Sequence, residues 1–240
     1  MPLDVNTITQ YPLADNQYFK EDCTALKNMI FIHHTAGNAN PYQVIDGWNA
    51  DVARVGTPFV IGGTPSTNAK WKDGEIIQCF SSRYYDYHLG LKASNNTAIA
   101  KATVGIEVCN FGPLALHDGK YYNYVGGTIK ETDVVHYADG FKAYPNSTFF
   151  TKIGVVNKPA IYYHKYTDAQ ILSLRDLLIY LCEKFNITKA YNGDMWDVND
   201  KALAGMAGIW THVSVRQDKS DCHPQLNLIT MLEQLSYNSI

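Results

Sequence analysis

The segment Met29-Ile30-Phe31-Ile32-His33-His34-Thr35-Ala36-Gly37 is decisive for the fold, because a short apolar run ends there in two histidines and a small-residue turn. Such a run predicts a buried β-strand, and a strand points successive side chains to opposite faces. His33 therefore shares a face with Phe31, whereas His34 points the other way. Only one of the two histidines can face a given site.

Another histidine lies far downstream, in Ile209-Trp210-Thr211-His212-Val213, and it also ends a short apolar run. Lys219, Asp221 and Cys222 follow within ten residues. Two neutral imidazoles and one anionic ligand, with a fourth position open to water, hold zinc in catalytic sites. The alternative is that these histidines are ordinary strand residues. Spacing alone does not show that the two strand ends meet.

Three motifs in order carry a family resemblance: His33-His34-Thr35-Ala36-Gly37, then Val104-Gly105-Ile106-Glu107-Val108, then His212 followed by Lys219-Ser220-Asp221. From about Met29 to Leu235 the chain resembles the type 2 N-acetylmuramoyl-L-alanine amidases, whose fold is shared by phage lysozyme-type amidases and peptidoglycan recognition proteins. Each motif is weak alone, but the order is specific. The resemblance implies an α/β fold with a central mixed β-sheet covered by helices.

The resemblance also implies a zinc site. Its ligands would be His33, His212 and Asp221, because the family's third ligand lies two residues after a lysine. Cys222 is the alternative third ligand, since thiolate binds zinc well and some members use a cysteine. In the usual aspartate-type pattern a proline follows the ligand, and Cys222 stands in that place here.

Glu107 is the candidate general base. Alternation places it on the strand face opposite Ile106, and a carboxylate within an apolar strand costs free energy unless it is paired or functional. A salt bridge to a lysine at the edge of the core is the structural alternative. The resemblance favours catalysis, because one subgroup carries glutamate here. Other members use a tyrosine after the second strand, a place that Thr57 holds in this chain.

Lys219 is expected to donate to the developing oxyanion, with a solvated surface lysine as the alternative. His88, in Tyr87-His88-Leu89-Gly90, resembles the family's histidine–glycine substrate contact, so we predict that it binds substrate rather than metal. His34 is predicted to lie in the core or to orient a neighbouring side chain. His223 is predicted to have no role in metal binding or catalysis.

Composition narrows the class of protein. With 240 residues, 46% of them hydrophobic, the chain can bury one substantial core, so we expect a single catalytic domain over 1–240. A net charge of −3 gives no electrostatic case for nucleic acid or anionic membrane. No apolar run is long enough for a membrane span, and no signal-peptide pattern opens the sequence. The five cysteines are widely spaced and odd in number, which indicates a reducing compartment. Oligomeric state stays open.

Local patterns predict the elements. A capping box of Thr167 and Gln170 opens the best-supported helix, which ends at Phe185. Elsewhere we predict an extended polar arm over 1–25, a strand at Phe59–Ile61 and a hairpin at Asp73-Gly74. A helix from about Pro41 to Arg54 is predicted to point Val44, Ile45, Trp48 and Val52 towards the core. A last helix is predicted from Pro224, with Leu226, Ile229, Leu232 and Leu235 towards the core.

A tyrosine-rich insertion is predicted at about 112–165, between the Glu107 strand and the long helix. Its tyrosines could form an aromatic rim for glycan or stem peptide, because tyrosine has an apolar face and a polar tip. The alternative is a lobe that packs against the sheet. The tyrosines of this region are Tyr121, Tyr122, Tyr124, Tyr137, Tyr144, Tyr162 and Tyr163, with Tyr166 just after it.

The resemblance implies a zinc-dependent amidase that cleaves the amide between the lactyl group of N-acetylmuramic acid and L-alanine in peptidoglycan. The favoured role is a phage or prophage endolysin, made in the host bacterial cytoplasm and acting on the cell wall after release. A cytosolic amidase that recycles soluble muropeptides is one alternative, and a non-catalytic peptidoglycan-binding receptor is another. Because all three candidate ligands are present, the pattern disfavours the receptor.

Overall fold

The computed structural model describes residues 3–137, 142–143, 147–155 and 158–237. Its strands are β1 (Thr9–Gln10), β2 (Met29–His34), β3 (Phe59–Ile61), β4 (Ile76–Gln78), β5 (Thr103–Val108), β6 (Pro113–His117), β7 (Lys120–Tyr122), β8 (Thr128–Ile129), β9 (Val134–His136), β10 (Lys142–Ala143), β11 (Pro159–Ala160), β12 (Tyr162–His164) and β13 (Gly208–Thr211). Its α-helices are α1 (Pro41–Ala50), α2 (Asn96–Ala102), α3 (Thr148–Lys152), α4 (Asp168–Phe185), α5 (Asp200–Leu203) and α6 (Leu226–Tyr237).

The central sheet has six strands in the order β1-β4-β3-β5-β2-β13. β5, β2 and β13 run parallel, whereas β3 and β4 are antiparallel. Parallel neighbours end at the same edge of a sheet, so the residues at the ends of β2, β5 and β13 come together. The register pairs His33 with Glu107 and ends the β13 pairing at Thr211, one residue before His212.

Helices cover both faces of this sheet, as the predicted α/β architecture requires. On one face α4 and α6 pack against Ile30, Ile32 and Ile106 of β2 and β5. On the other face Ile45 of α1 packs with Val60 and other residues of β3 and β4. The predicted fold class, a central mixed sheet covered by helices, is therefore confirmed.

The long helix follows its sequence signals closely. Thr167 is the N-cap of α4, and its hydroxyl accepts a hydrogen bond from the Gln170 backbone N–H at 3.0 Å. The Gln170 side chain in turn accepts from the Thr167 backbone N–H at 3.1 Å. Such a cap stabilises a helix by about 1 kcal/mol. The helix ends at Phe185 because Asn186 adopts the left-handed conformation. No described helix is long and apolar enough to cross a membrane.

Two other helix predictions need correction at their ends. α1 begins at Pro41 as predicted, but it ends at Ala50, because the backbone of Asp51 is extended, and Val52 is 94% exposed rather than buried. α6 begins at Leu226, so Pro224 precedes the helix instead of opening it. Leu226 itself is 80% exposed. The buried residues of α6 are Leu228, Met231, Leu232 and Leu235.

The predicted extended arm over 1–25 packs against the sheet, and residues 1–2 lie outside the described part. Three short 3-10 turns, Val5–Thr7, Asp15–Gln17 and Thr24–Leu26, fold the segment. β1 adds a parallel strand to the edge of β4. Ile8, Leu13 and Cys23 are buried. Burial of these apolar side chains makes the segment part of the core.

The predicted hairpin at Asp73-Gly74 is present as part of a longer connection. β3 and β4 pair as antiparallel neighbours, and residues 62–75 join them. Gly74 has a φ of +75°, a conformation that glycine adopts without steric cost. A side chain at this position would also collide with the backbone carbonyl of Ala169.

The tyrosine-rich insertion forms a second, antiparallel sheet in the order β8-β7-β6-β12-β9, with a separate pair β10-β11. Asn110 holds its two ends together: the side-chain amide donates to the carbonyls of His164 and Lys165 at 3.1 and 3.2 Å, and the side-chain oxygen accepts from Gly112. Tyr163 is fully buried, which supports the packing alternative for part of the insertion. Tyr144 lies outside the described residues.

Candidate metal centre and active site

Three predicted ligand side chains converge at the end of the central sheet. The Nδ1 atoms of His33 and His212 are 3.0 Å apart, and Oδ2 of Asp221 lies 3.1 and 3.0 Å from them. All three residues are buried, and we call their three ligand atoms the metal triangle. Ligand atoms about 2.0–2.2 Å from a tetrahedral zinc are roughly 3.3 Å apart, so this nearly equilateral triangle has the scale of three zinc ligands.

Local backbone structure brings the two distant parts of this triangle together. His33 is near the end of β2, and His212 opens the 3-10 turn His212–Ser214 directly after β13. The loop that follows returns to this turn, because the Val213 N–H donates to the Asp221 carbonyl at 2.9 Å. Asp221 is thereby placed beside His212, nine residues before it in the chain.

The chemistry of the donor set fits a metal cation. Nε2 of His212 lies 3.0 Å from the Leu89 carbonyl oxygen, which can only accept, so Nε2 carries the proton of the neutral ring. Nδ1 of His212 then presents a lone pair to the Asp221 carboxylate. Two acceptors 3.0 Å apart repel each other unless a cation lies between them. Two imidazoles and one carboxylate are a ligand set that catalytic zinc sites use.

Burial also prepares the ligands for a metal. It lowers the pKa of His33 to about 4, with the neighbouring His212 as a smaller cause. Neutral imidazole is the form that coordinates metal, and the lowered pKa of His33 favours that form.

Cys222, the alternative third ligand, points away from this triangle. Its thiol accepts a hydrogen bond from the Tyr166 hydroxyl at 3.1 Å. It is buried beside Ile32 and Leu174, on the α4 face of the sheet. Successive side chains diverge here, so the geometry that brings Asp221 to the histidines takes Cys222 into the core.

Glu107 lies on β5 directly opposite His33, on the same face of the sheet. Its carboxyl is largely buried at the wall of the cleft. Burial raises its pKa well above the usual value, the charge of Asp221 raises it further, and Lys219 opposes the shift. A carboxylate with a raised pKa binds a proton more strongly, which suits a residue that accepts and returns one. No salt bridge to Glu107 is found in the described part of the chain.

Lys219 lies in the same cleft and is partly buried. Among the described residues it forms no salt bridge, whereas the nearby Arg216 is held by Asp218 at 2.9 Å. The cleft has a volume of about 280 Å³. It is lined by His33, His34, Thr35, Val55, Tyr87, His88, Gly90, Glu107, His212, Arg216, Lys219 and Asp221.

His88 borders this cleft, but both of its ring nitrogens bind protein groups rather than facing a substrate. Nδ1 lies 2.8 Å from Nε2 of His33, and Nε2 lies 2.9 Å from the Thr103 hydroxyl. Protein groups therefore occupy both ring nitrogens, and the substrate contact predicted for His88 stays a prediction. Sequence gave no sign of the contact, since Thr103 and His33 are distant from His88 along the chain.

The other two histidines near the site belong to the core. Nδ1 of His34 lies 2.9 Å from the Tyr166 hydroxyl, as expected for a residue on the face opposite His33. His223 stacks on Tyr163 and Tyr166, with ring centroids 4.2 and 4.9 Å apart. Neither ring belongs to the metal triangle.

Comparisons with known proteins identify the family of this chain. The family model for N-acetylmuramoyl-L-alanine amidase, Amidase_2, matches residues 25–224. A search of curated proteins gives no match.

Solved structures similar to this chain include PlyL, with a TM-score of 0.50 and 11% identity over 95% of this chain and 96% of that chain. The endolysin N-acetylmuramoyl-L-alanine amidase LysCS from Clostridium intestinale URNW has a TM-score of 0.45 and 16% identity over 95% and 94%. The amidase AmiD from E. coli has a TM-score of 0.37 and 16% identity over 69% and 46%.

The PlyL similarity concerns the fold, and the family match covers most of the chain, including every residue of the metal triangle and Glu107. The chain therefore belongs to the N-acetylmuramoyl-L-alanine amidase family and is an enzyme of that class.

Proposed function

We propose that this chain is a zinc-dependent N-acetylmuramoyl-L-alanine amidase that cleaves the amide between the lactyl group of N-acetylmuramic acid and L-alanine. The observation that carries the proposal is the convergence of His33, His212 and Asp221 beside Glu107 in one cleft. Residues 1–240 would form a single catalytic domain. His33, His212 and Asp221 would hold the zinc.

Zinc bound there would supply a Lewis acid that polarises the amide carbonyl and makes water more acidic. The carboxylate of Glu107 takes a proton from the attacking water and returns it to the nitrogen of the departing L-alanine. Its burial limits competition from bulk water for that proton, and its position opposite His33 supports this role. Such a base contributes typically 10²–10⁴-fold in rate.

Lys219 would donate to the oxygen that gains negative charge in the transition state. Lys219 is partly buried in the cleft, where a charge–charge interaction is stronger than in bulk water. We expect Lys219→Ala to lower kcat by roughly 10²–10³, the usual loss for one oxyanion donor, with zinc content unchanged. Steady-state kinetics check this. An increase in KM at constant kcat would instead make Lys219 a uniform binding contact.

We further propose that the substrate is polymeric peptidoglycan and that the protein is an endolysin. The described part of the tyrosine-rich insertion leaves the cleft open, since none of its residues lines it. An uncovered cleft accepts a glycan with neighbouring sugars, whereas an enzyme for small fragments gains positioning by closing around them. This supports the lysin over the recycling amidase.

The test offers intact sacculi and soluble anhydro-muropeptide in parallel to the zinc-loaded enzyme and follows release of free stem peptides. We expect efficient release from sacculi, with Glu107→Gln as the inactive control. Cleavage of the soluble fragment alone would overturn the endolysin role in favour of recycling. Tight binding to sacculi without release from either substrate would favour a receptor.

A further inference from the structure

A chain of buried hydrogen bonds extends behind His33, on the side away from the metal triangle. Nε2 of His33 lies 2.8 Å from Nδ1 of His88, and Nε2 of His88 lies 2.9 Å from Oγ1 of Thr103. The Thr103 hydroxyl donates to the Ala100 carbonyl oxygen at 3.1 Å. We call these three side chains, His33, His88 and Thr103, the histidine relay.

The last bond of the relay sets the direction of all the others. The Ala100 carbonyl can only accept, so the single hydroxyl proton of Thr103 is used there. Thr103 Oγ1 must then accept from Nε2–H of His88. Because a neutral imidazole carries one proton, Nδ1 of His88 is left with a lone pair, which accepts from Nε2–H of His33. Nδ1 of His33 then carries no proton.

We propose, building on the zinc site proposed above, that His88 is a positioning residue: with Thr103 it fixes His33 as the Nε2-protonated tautomer, so that the Nδ1 lone pair faces the metal. His212 reaches the same state through the Leu89 carbonyl. Both histidines thus present unprotonated Nδ1 atoms beside the Asp221 carboxylate.

If every hydrogen bond of the relay ran in the opposite direction, the bond from Thr103 to the Ala100 carbonyl would be lost. If His33 carried its proton on Nδ1 and donated to Asp221, Nδ1 of His88 would have to donate to His33. Thr103 would then have to turn its hydroxyl towards His88, leaving the Ala100 carbonyl without this donor. The carbonyl would keep only the Thr103 backbone N–H as a donor, so this direction has one hydrogen bond fewer at a buried site.

One short segment, residues 86–89, orients both histidine ligands. The side chain of His88 holds His33, and the carbonyl of Leu89 holds His212. The buried Asp86 fixes the segment, because its carboxyl oxygen accepts from the His88 backbone N–H at 2.8 Å. A group that orients a ligating histidine typically changes metal affinity by 10–100-fold when it is removed.

The first experiment measures zinc affinity by competition with a chromophoric chelator. His88→Leu removes the acceptor for His33, and we expect its zinc dissociation constant to rise 10–100-fold. His88→Asn places an oxygen where Nδ1 was, and we expect it to recover most of that loss. Thr103→Val should weaken binding, whereas the matched Thr103→Ser, which keeps the hydroxyl, should not. Equal affinity of His88→Leu and the wild-type protein would overturn the relay.

The second experiment needs no variant, so it holds even if a variant fails to fold. Long-range ¹⁵N–¹H correlations of the metal-free wild-type protein identify the tautomer of each histidine. We expect Nε2–H for His33 and His88. An Nδ1–H tautomer at His33 would overturn the proposal. Failure of the wild-type protein to bind zinc would instead overturn the proposed function, and the two failures are therefore distinguishable.

Discussion

Glu107→Gln should lower kcat by roughly 10²–10⁴, the range for a lost general base, while zinc stays bound. Glutamine keeps the size of the side chain and one acceptor oxygen, but it cannot take up a proton. Glu107 is not one of the three converging ligand groups, so metal content should not change. The measurement is single-turnover release of stem peptide from sacculi, with zinc content determined on the same samples.

Glu233→Gln is the matched control, because Glu233 is exposed on α6 and the same atoms change. Its activity should equal that of the wild-type protein. If Glu107→Gln retained more than about a third of wild-type activity, another group would have to move the proton, and the assignment of Glu107 would fail.

Asp221→Ala should abolish zinc retention and activity together. The substitution removes the only anionic member of the triangle and leaves two neutral imidazoles, so the purified variant should contain far less than the one zinc per chain expected for the wild-type protein. Because Lewis-acid stabilisation is worth several kcal/mol, kcat/KM should fall by roughly 10³ or more. Elemental analysis and kinetics on sacculi measure the two effects.

Cys222→Ser tests the alternative ligand in the same assay. The Cys222 thiol lies on the α4 side of the sheet and accepts from Tyr166, so its replacement should leave zinc content close to that of the wild-type protein. Thermal unfolding separates loss of metal from loss of fold. Retention of zinc by Asp221→Ala together with its loss from Cys222→Ser would give the third position to the cysteine.

The elements that could be predicted from the sequence are those with local causes. The capping box at Thr167 and Gln170 places the start of α4 because all its hydrogen bonds lie within four residues. The alternation in β2 correctly separates His33 from His34. The predicted end of α1 and the predicted start of α6 are wrong, because Asp51 is already extended and α6 begins only at Leu226.

In the candidate site, too, some residues could be predicted from the sequence and others could not. Family motifs indicated His33, His212 and Asp221, and the fold brings them together. The role of His88 could not be predicted, because its partners His33 and Thr103 are 55 and 15 residues away. The folding of the N-terminal segment onto β4 likewise depends on contacts that cross the chain.

The side chain of Asn110 joins the two ends of the tyrosine-rich insertion by hydrogen bonds. The insertion therefore begins and ends within hydrogen-bond distance of the Asn110 side chain, so it is a loop whose two ends are held together. Doubling the length of such a loop changes its closure entropy by only about 0.6 kcal/mol. We therefore expect that this insertion can be lengthened, shortened or replaced while the strand that carries Glu107 stays in place.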